Sequence, residues 1–165
     1  MEVGHTRISS STRASGYKLP GTVEAEASRL TIAAEAAKAA FRGDAPHLAK
    51  KTGTDLADIR SSAIADAIEH GDKVIKDLVE EASEAIGLAV VNVVHILAPD
   101  KVILGGGLVE AMEDLIVGTV RKVARQNVMS AYRDRFDVVA AKLGDDAGVL
   151  GAAAWAKHEL GKRDD

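Results

Sequence analysis

An apolar stripe with a 3.6-residue period runs through Val74, Ile75, Leu78, Ala82, Ile86, Val90, Val93, Val94 and Leu97, and Ala98-Pro99 ends it. That period puts these side chains on one helical face, and proline both lacks an amide donor and drives the residue before it out of the helical region. Asp72 stands where the N-cap is expected. The chain is therefore built around one long, buried central helix. The residues after Pro99 narrow the fold class. Lys101-Val102-Ile103-Leu104 is β-branched, too short for a helix and bounded by Gly105-Gly106-Gly107, so it reads as a buried strand. Residues from Leu108 to about Ser130 are amphipathic through Val109, Met112, Leu115, Ile116, Val120 and Val123, which predicts a helix. Residues 136–141 form a second strand candidate. Gly144 to Gly148 turn into a last helix from Val149 to about Leu160. Strands alternating with helices imply parallel pairing through helical crossovers, with residues 1–8 a candidate for one further strand. The expectation is an α/β domain with much helix and a short, mostly parallel sheet.

The first half reads as helix and loop. Residues 8–20 are rich in Ser, Thr and Gly and end at Leu19-Pro20-Gly21, a turn signal. Thr22 is a plausible N-cap for a helix running to Ala40, with Gly43 as its stop. After Lys51-Thr52-Gly53-Thr54 a second stripe, Leu56, Ile59, Ala63, Ala67 and Ile68, ends at Gly71. With 165 residues, 47% of them hydrophobic and 28% charged, the chain suits one domain, 1–165, with a real core. Its five aromatics (Tyr17, Phe41, Tyr132, Phe136, Trp155) leave that core to Ala, Val, Ile and Leu, and they offer little for stacking on bases. A net charge of −4 argues against phosphate-neutralising contact with nucleic acid. The absence of cysteine removes disulfides, thiolate metal sites and a cysteine nucleophile together. The start of the chain lacks a basic segment followed by an apolar one, and the apolar run Ile86 to Ala98 is too short to cross a bilayer, so a cytoplasmic location without membrane contact is expected.

Chemistry concentrates in three places. A strand running into three glycines and then into a helix presents backbone N–H groups at the positive end of a helix dipole, which suits a phosphate, or else makes only a tight turn. It is neither a dinucleotide fingerprint, which would need glycine where Glu110 stands, nor a P-loop. Glu2 and His5 offer a carboxylate and an imidazole to a polyol or a metal, or else form a solvated pair near the terminus. Glu24 and Glu26 fall in the first turn of a helix, where acidic residues also offset the dipole. His47, His70, His95 and His158 have no Glu or His at recognised zinc-ligand spacing, so no metal site is assigned to them. Arg121, Lys122, Arg125, Arg133 and Arg135 are read as complementing a helix dipole and aiding solubility.

In order and spacing, Glu2-Val3-Gly4-His5, Gly21-Thr22-Val23-Glu24 with Ala27-Ser28, Pro99 through Leu108, and Leu143-Gly144-Asp145-Asp146-Ala147-Gly148 followed by Gly151-Ala152-Ala153 resemble the C-terminal part of ROK-family proteins (repressors, open reading frames and sugar kinases). The resemblance spans nearly the whole chain. It implies a partial actin-like, ribonuclease-H-like ATPase domain, one of two α/β domains that close on a sugar and ATP, often in a homodimer. Glu2 and His5 match the family's Glu-x-Gly-His motif, and Glu24 matches the acidic residue after its cysteine motif, which implies contacts to hexose hydroxyls. Gly105, Gly106 and Gly107 match glycines near the bound nucleotide, ATP with Mg²⁺.

The departures from the family pattern carry their own expectations. The zinc motif's cysteines fall on Ser15, Tyr17 and Thr22, which cannot supply thiolates, so no zinc is expected there although His5 matches the family's histidine ligand. The family's Asp-x-Gly-Gly-Thr phosphate loop, its Asn-Asp pair with the catalytic base, and its Gly-Thr-Gly-x-Gly-Gly loop have no counterpart in this sequence. Phosphoryl transfer depends on such groups acting together, so residues 1–165 are expected to be a C-terminal fragment inactive alone, lacking the N-terminal domain and first strands. Its exposed sheet edge should promote self-association. Three functions remain open: part of a hexose kinase using ATP or polyphosphate, the sugar-sensing part of a ROK repressor, or an assembly module.

Overall fold

The computed structural model describes residues 2–161. Thr22 Oγ1 accepts the Ala25 N–H at 3.2 Å and opens α1, Val23–Ala27. Ser28 then takes extended backbone and accepts the Thr31 N–H at 3.2 Å, opening α2, Arg29–Arg42. The single helix expected from Thr22 to Ala40 is thus two, because Ser28 caps a new helix rather than continuing the old one. Gly43, at φ 84°, closes α2 in the left-handed conformation.

An unexpected helix comes next, α3, Pro46–Thr52. Proline suits its first position, where the missing N–H would be unpaired anyway. Its next two amides are satisfied from 24 and 25 residues away: Asp72 accepts the His47 N–H at 3.2 Å and the Leu48 N–H at 2.8 Å. Asp72 does precede the long helix as expected, but its side chain caps α3 instead. The second stripe forms α4, Ser61–Glu69, starting later than Leu56, and the central helix is α5, Lys73–Leu97.

β1, Lys101–Leu104, and β2, Asp137–Ala140, pair in parallel with Lys101 opposite Asp137 and Leu104 opposite Ala140. Between them the expected helix from Leu108 to Ser130 is broken into α6, Gly107–Ala111, and α7, Glu113–Asn127. The break falls at Met112, whose backbone (φ −145°, ψ 47°) leaves the helical region while its side chain joins the core. α8, Ala147–Gly161, completes the described chain. Among the described residues, the further strand considered for residues 1–8 does not form. Val3–His5 make a single 3₁₀ turn, closed by the Thr6 hydroxyl and N–H, which donate to the Val3 carbonyl at 2.7 and 3.0 Å. Arg7 pairs with Thr22 through one isolated antiparallel bridge.

α5 organises the core, packing on α1, α2, α4 and α7. Ile75, Val79, Val94, Val120 and Val138 are fully enclosed, each burial contributing about 1.5–3 kcal/mol before ordering costs. Buried Ser83 donates to the Val79 carbonyl one turn back, at 2.7 Å, so it leaves no unpaired hydroxyl. Gly87 lets α5 and α7 approach: a Cβ there would stand 2.7 Å from Val123 Cβ. Arg121 reaches from α7 to donate to the Val138 carbonyl at 2.6 Å and to face Asp137 at 3.2 Å, tying helix to sheet. The dipole reading of this arginine missed that tie. α8 buries none of its described side chains, and leaves Val149, Leu150, Trp155 and Leu160 exposed. Among the described residues, no helix is long and apolar enough to cross a membrane.

Candidate functional site

The 3₁₀ turn at Val3–His5 sets His5 over the first turn of α1, and the Val23 N–H, donated to the Thr6 carbonyl at 3.1 Å, locks the two together. Glu24 comes two residues after the Thr22 cap, so its carboxylate stands at the helix start. The result is a line of three polar groups: Glu2 Oε2 lies 3.6 Å from His5 Nδ1, and His5 Nε2 lies 3.6 Å from Glu24 Oε2. Both separations exceed hydrogen-bond length. His5 Nδ1 and Glu24 Oε2 are nonetheless buried atoms without a hydrogen-bond partner, as is Ser15 Oγ. Buried polar atoms left unpaired cost about 1–3 kcal/mol each, so the site holds donor and acceptor capacity that a polyhydroxylated ligand could take up.

Ser15, Tyr17 and Thr22 take different roles. Thr22 caps α1, Tyr17 packs edge-on against the His5 ring at 5.0 Å between centroids, and the Ser15 hydroxyl is the third unpaired atom. The loop they belong to is pinned to α1 through Glu26, which accepts from Ser9 Oγ at 2.9 Å and from the Arg13 guanidinium at 3.1 Å. Sequence reasoning treated Glu26 only as dipole compensation. A cleft of about 240 Å³ opens behind this loop, lined in part by Ser9, Arg13, Glu26 and Glu35, and it includes none of Glu2, His5 and Glu24.

The glycine turn lies elsewhere, between β1 and α6. Gly106 has φ 101° and ψ 163°, a conformation accessible in practice only to glycine. A side chain on Gly105 would stand 3.3 Å from Ala141 Cβ and one on Gly107 would stand 3.4 Å from Ser61 Oγ. All three glycines are exposed, and the first amides of α6 have no carbonyl in their own helix. Backbone of this kind fits a phosphate-bearing cofactor. The dipole contribution is smaller than a long helix would supply, because α6 has only five residues. α1 packs on α5, and α6 packs on α4 and α7, so α5 is the element that both sites share as a support.

A third cluster went unseen in the sequence. His47 Nε2 lies 2.7 Å from Asp66 Oδ2, Lys51 Nζ 2.9 Å from the same oxygen, and His70 Nδ1 2.8 Å from the Asp66 carbonyl. The two imidazoles stack at 4.0 Å. The Lys51 ammonium, and next the His47 ring, hold the Asp66 carboxyl below the usual carboxylate range. The sequence signal was the i,i+4 pair Asp66 and His70, but His47 joins it only through the packing of α3 on α4.

Comparison with known proteins bears on the family and the fold. The ROK family profile matches residues 1–159. A glucokinase of Thermotoga maritima is 34% identical over 96 residues, covering 58% of this chain and 30% of that protein. A xylose repressor of Caldicellulosiruptor bescii is 28% identical over 159 residues, covering 96% of this chain and 39% of that one. The crystal structure of a ROK family glucokinase from Streptomyces griseus, in complex with glucose and AMPPNP, superposes with a TM-score of 0.78 at 26% identity over 95% of this chain and 51% of that chain. The matches thus span 30% to 51% of the length of these relatives. Its fold is a partial actin-like ATPase domain, helix-rich with a two-stranded parallel sheet, as expected.

Proposed function

This chain belongs to the ROK family, and from that premise we propose that it is the C-terminal part of a sugar kinase in which Glu2, His5 and Glu24 hold hexose hydroxyls and Gly105, Gly106 and Gly107 receive ATP. The observation that carries the reading is the pair of buried, unpartnered polar atoms, His5 Nδ1 and Glu24 Oε2, in one shared site. Sugar hydroxyls both donate and accept, so one hexose can satisfy an imidazole nitrogen and a carboxylate oxygen together. ATP would supply the phosphoryl group, with Mg²⁺ carried on its phosphates. The exposed glycine backbone at 105–107 would cradle that nucleotide, and no zinc would be held at Ser15, Tyr17 and Thr22.

The residues here bind and orient but include no general base for the sugar hydroxyl, so residues 1–165 alone would bind hexose without turning it over. The exposed apolar side chains of α8 support self-association, as a homodimer or otherwise. The second reading, a sugar-sensing part of a ROK repressor, is favoured by one observation: the alignment to the xylose repressor runs over 96% of the chain. In that reading sugar occupancy shifts a conformational equilibrium, and residues 1–165 make no direct contact with DNA.

Histidine-detected NMR during titration with glucose and with xylose tests the site. Saturable movement of the His5 ring signals, lost in Glu24→Gln, is the expected result. A His5 ring that stays still up to high sugar concentration overturns the assignment. Selective response to glucose supports the kinase reading, and selective response to xylose supports the repressor.

A further inference from the structure

We propose that His47, Asp66 and His70 form a binding site for a single divalent transition-metal ion of the zinc class, separate from the hexose and nucleotide sites. One ligand atom from each of the three lies within 4.8 Å of the others. Two imidazole nitrogens with one carboxylate oxygen suit ions of borderline softness, whereas Mg²⁺ and Ca²⁺ favour oxygen ligands throughout.

The supporting groups are those that such a site needs. Asp66 and His70 are four residues apart in the last turn of α4 and its cap, hence on one face. His70 Nδ1, 2.8 Å from the Asp66 carbonyl, must carry its hydrogen when the ring is neutral, which leaves Nε2 as the free lone pair. Metal-bound histidines are oriented by a second hydrogen bond of this type. His47 is held from behind, since its backbone N–H donates to buried Asp72 and Pro46 precedes it. His47 and Asp66 side chains are 29% and 27% exposed, enclosed but within reach of solvent.

Lys51 is the competing cation. Its ammonium sits 2.9 Å from Asp66 Oδ2, and its side chain is 46% exposed, free to swing into water. On binding, the metal replaces that ammonium at the carboxylate. His47 Nε2 gives up the hydrogen it shares with Asp66, to its own Nδ1 if the ring is neutral and to water if it is charged. The rings now lie nearly parallel, at 8°, so one of them turns about its Cβ–Cγ bond to aim its lone pair at the ion. Water fills the remaining positions.

Isothermal titration of the whole chain with Zn²⁺ tests the proposal, with far-UV circular dichroism to verify each variant's fold. One saturable site is expected, weakened at least about tenfold in His47→Ala and in His70→Ala. His70 is half exposed and outside the core, so its variant remains informative even if His47→Ala unfolds. His5→Ala should leave binding unchanged. Lys51→Ala should tighten it, because the competing charge is gone; a cluster that merely joins α3 to α4 would give no such gain. The proposal falls if no saturable binding is seen, if His70→Ala binds as the parent does, if His5→Ala abolishes binding, or if Lys51→Ala weakens it.

Discussion

Replacing Gly87 by alanine sets helix propensity against packing, and the structure decides the sign. In an exposed helix the change would stabilise by about 1 kcal/mol, because glycine gives up more backbone freedom than alanine. Here the new Cβ would stand 2.7 Å from Val123 Cβ, 2.8 Å from Val123 Cγ1 and 3.3 Å from the Val120 carbonyl oxygen. Carbon atoms in contact prefer about 3.5–4.0 Å, so α5 and α7 must separate by about an ångström or Val123 must move. Overpacking of that kind costs about 1–3 kcal/mol. The propensity gain offsets part of it, and the net expectation is destabilisation by up to about 2 kcal/mol, read as a lower urea midpoint at unchanged slope. The double variant Gly87→Ala/Val123→Gly, which removes both of the Val123 carbons that the new Cβ would meet, should recover stability relative to the sum of its singles, by about 1 kcal/mol or more of coupling. If Gly87→Ala instead stabilises by its propensity alone, the close approach of the two helices is wrong and so is the reasoning.

Asp72→Ala should lower stability by about 2 kcal/mol in the same assay, since two amides at the start of α3 lose a buried acceptor. Asp66, whose carboxyl is held low by Lys51 and His47, adds stability that is fully present above the ordinary carboxylate value near 4 and is lost as pH falls through its lower folded value. Melting curves of the parent and Asp66→Asn should accordingly differ at neutral pH and converge in strong acid; a gap that persists there would show that charge is not the cause. A coupled assay with ATP and glucose should read background for residues 1–165, and turnover abolished by Glu24→Ala would refute the fragment reading. Sedimentation velocity at micromolar concentration should show species above the monomer, and a sharp monomer boundary would contradict self-association through α8.

Much of the fold was legible because its signals are local. The stripe from Val74 to Leu97 is read by counting, Pro99 ends it on steric grounds, and Thr22 and Gly43 mark helix ends through their own side chain or lack of one. β1 and β2 were visible as short β-branched runs, and their parallel pairing could be inferred from the helix between them. The breaks were not legible. Ser28 and Met112 interrupt stretches whose periodicity reads straight through them, because capping and insertion into a core are settled by neighbours that a one-dimensional pattern does not contain. α3 was hidden for the same reason: its N-terminal amides find their acceptor in Asp72, a residue that the sequence assigns to another helix.

The candidate sites divide in the same way. The sequence alone determined which residue types were available: the Glu-x-Gly-His run, the acidic residue after Thr22 and three glycines at a strand end, recognisable because spacing survives as pattern. Only the tertiary structure decided what they can do together. It set His5 between Glu2 and Glu24 with polar atoms left unpaired, shortened the helix after the glycines to five residues, and stacked two histidines 23 positions apart on one aspartate. Distances between side chains on different elements depend on how those elements pack, and packing is a property of the whole core rather than of any segment in it.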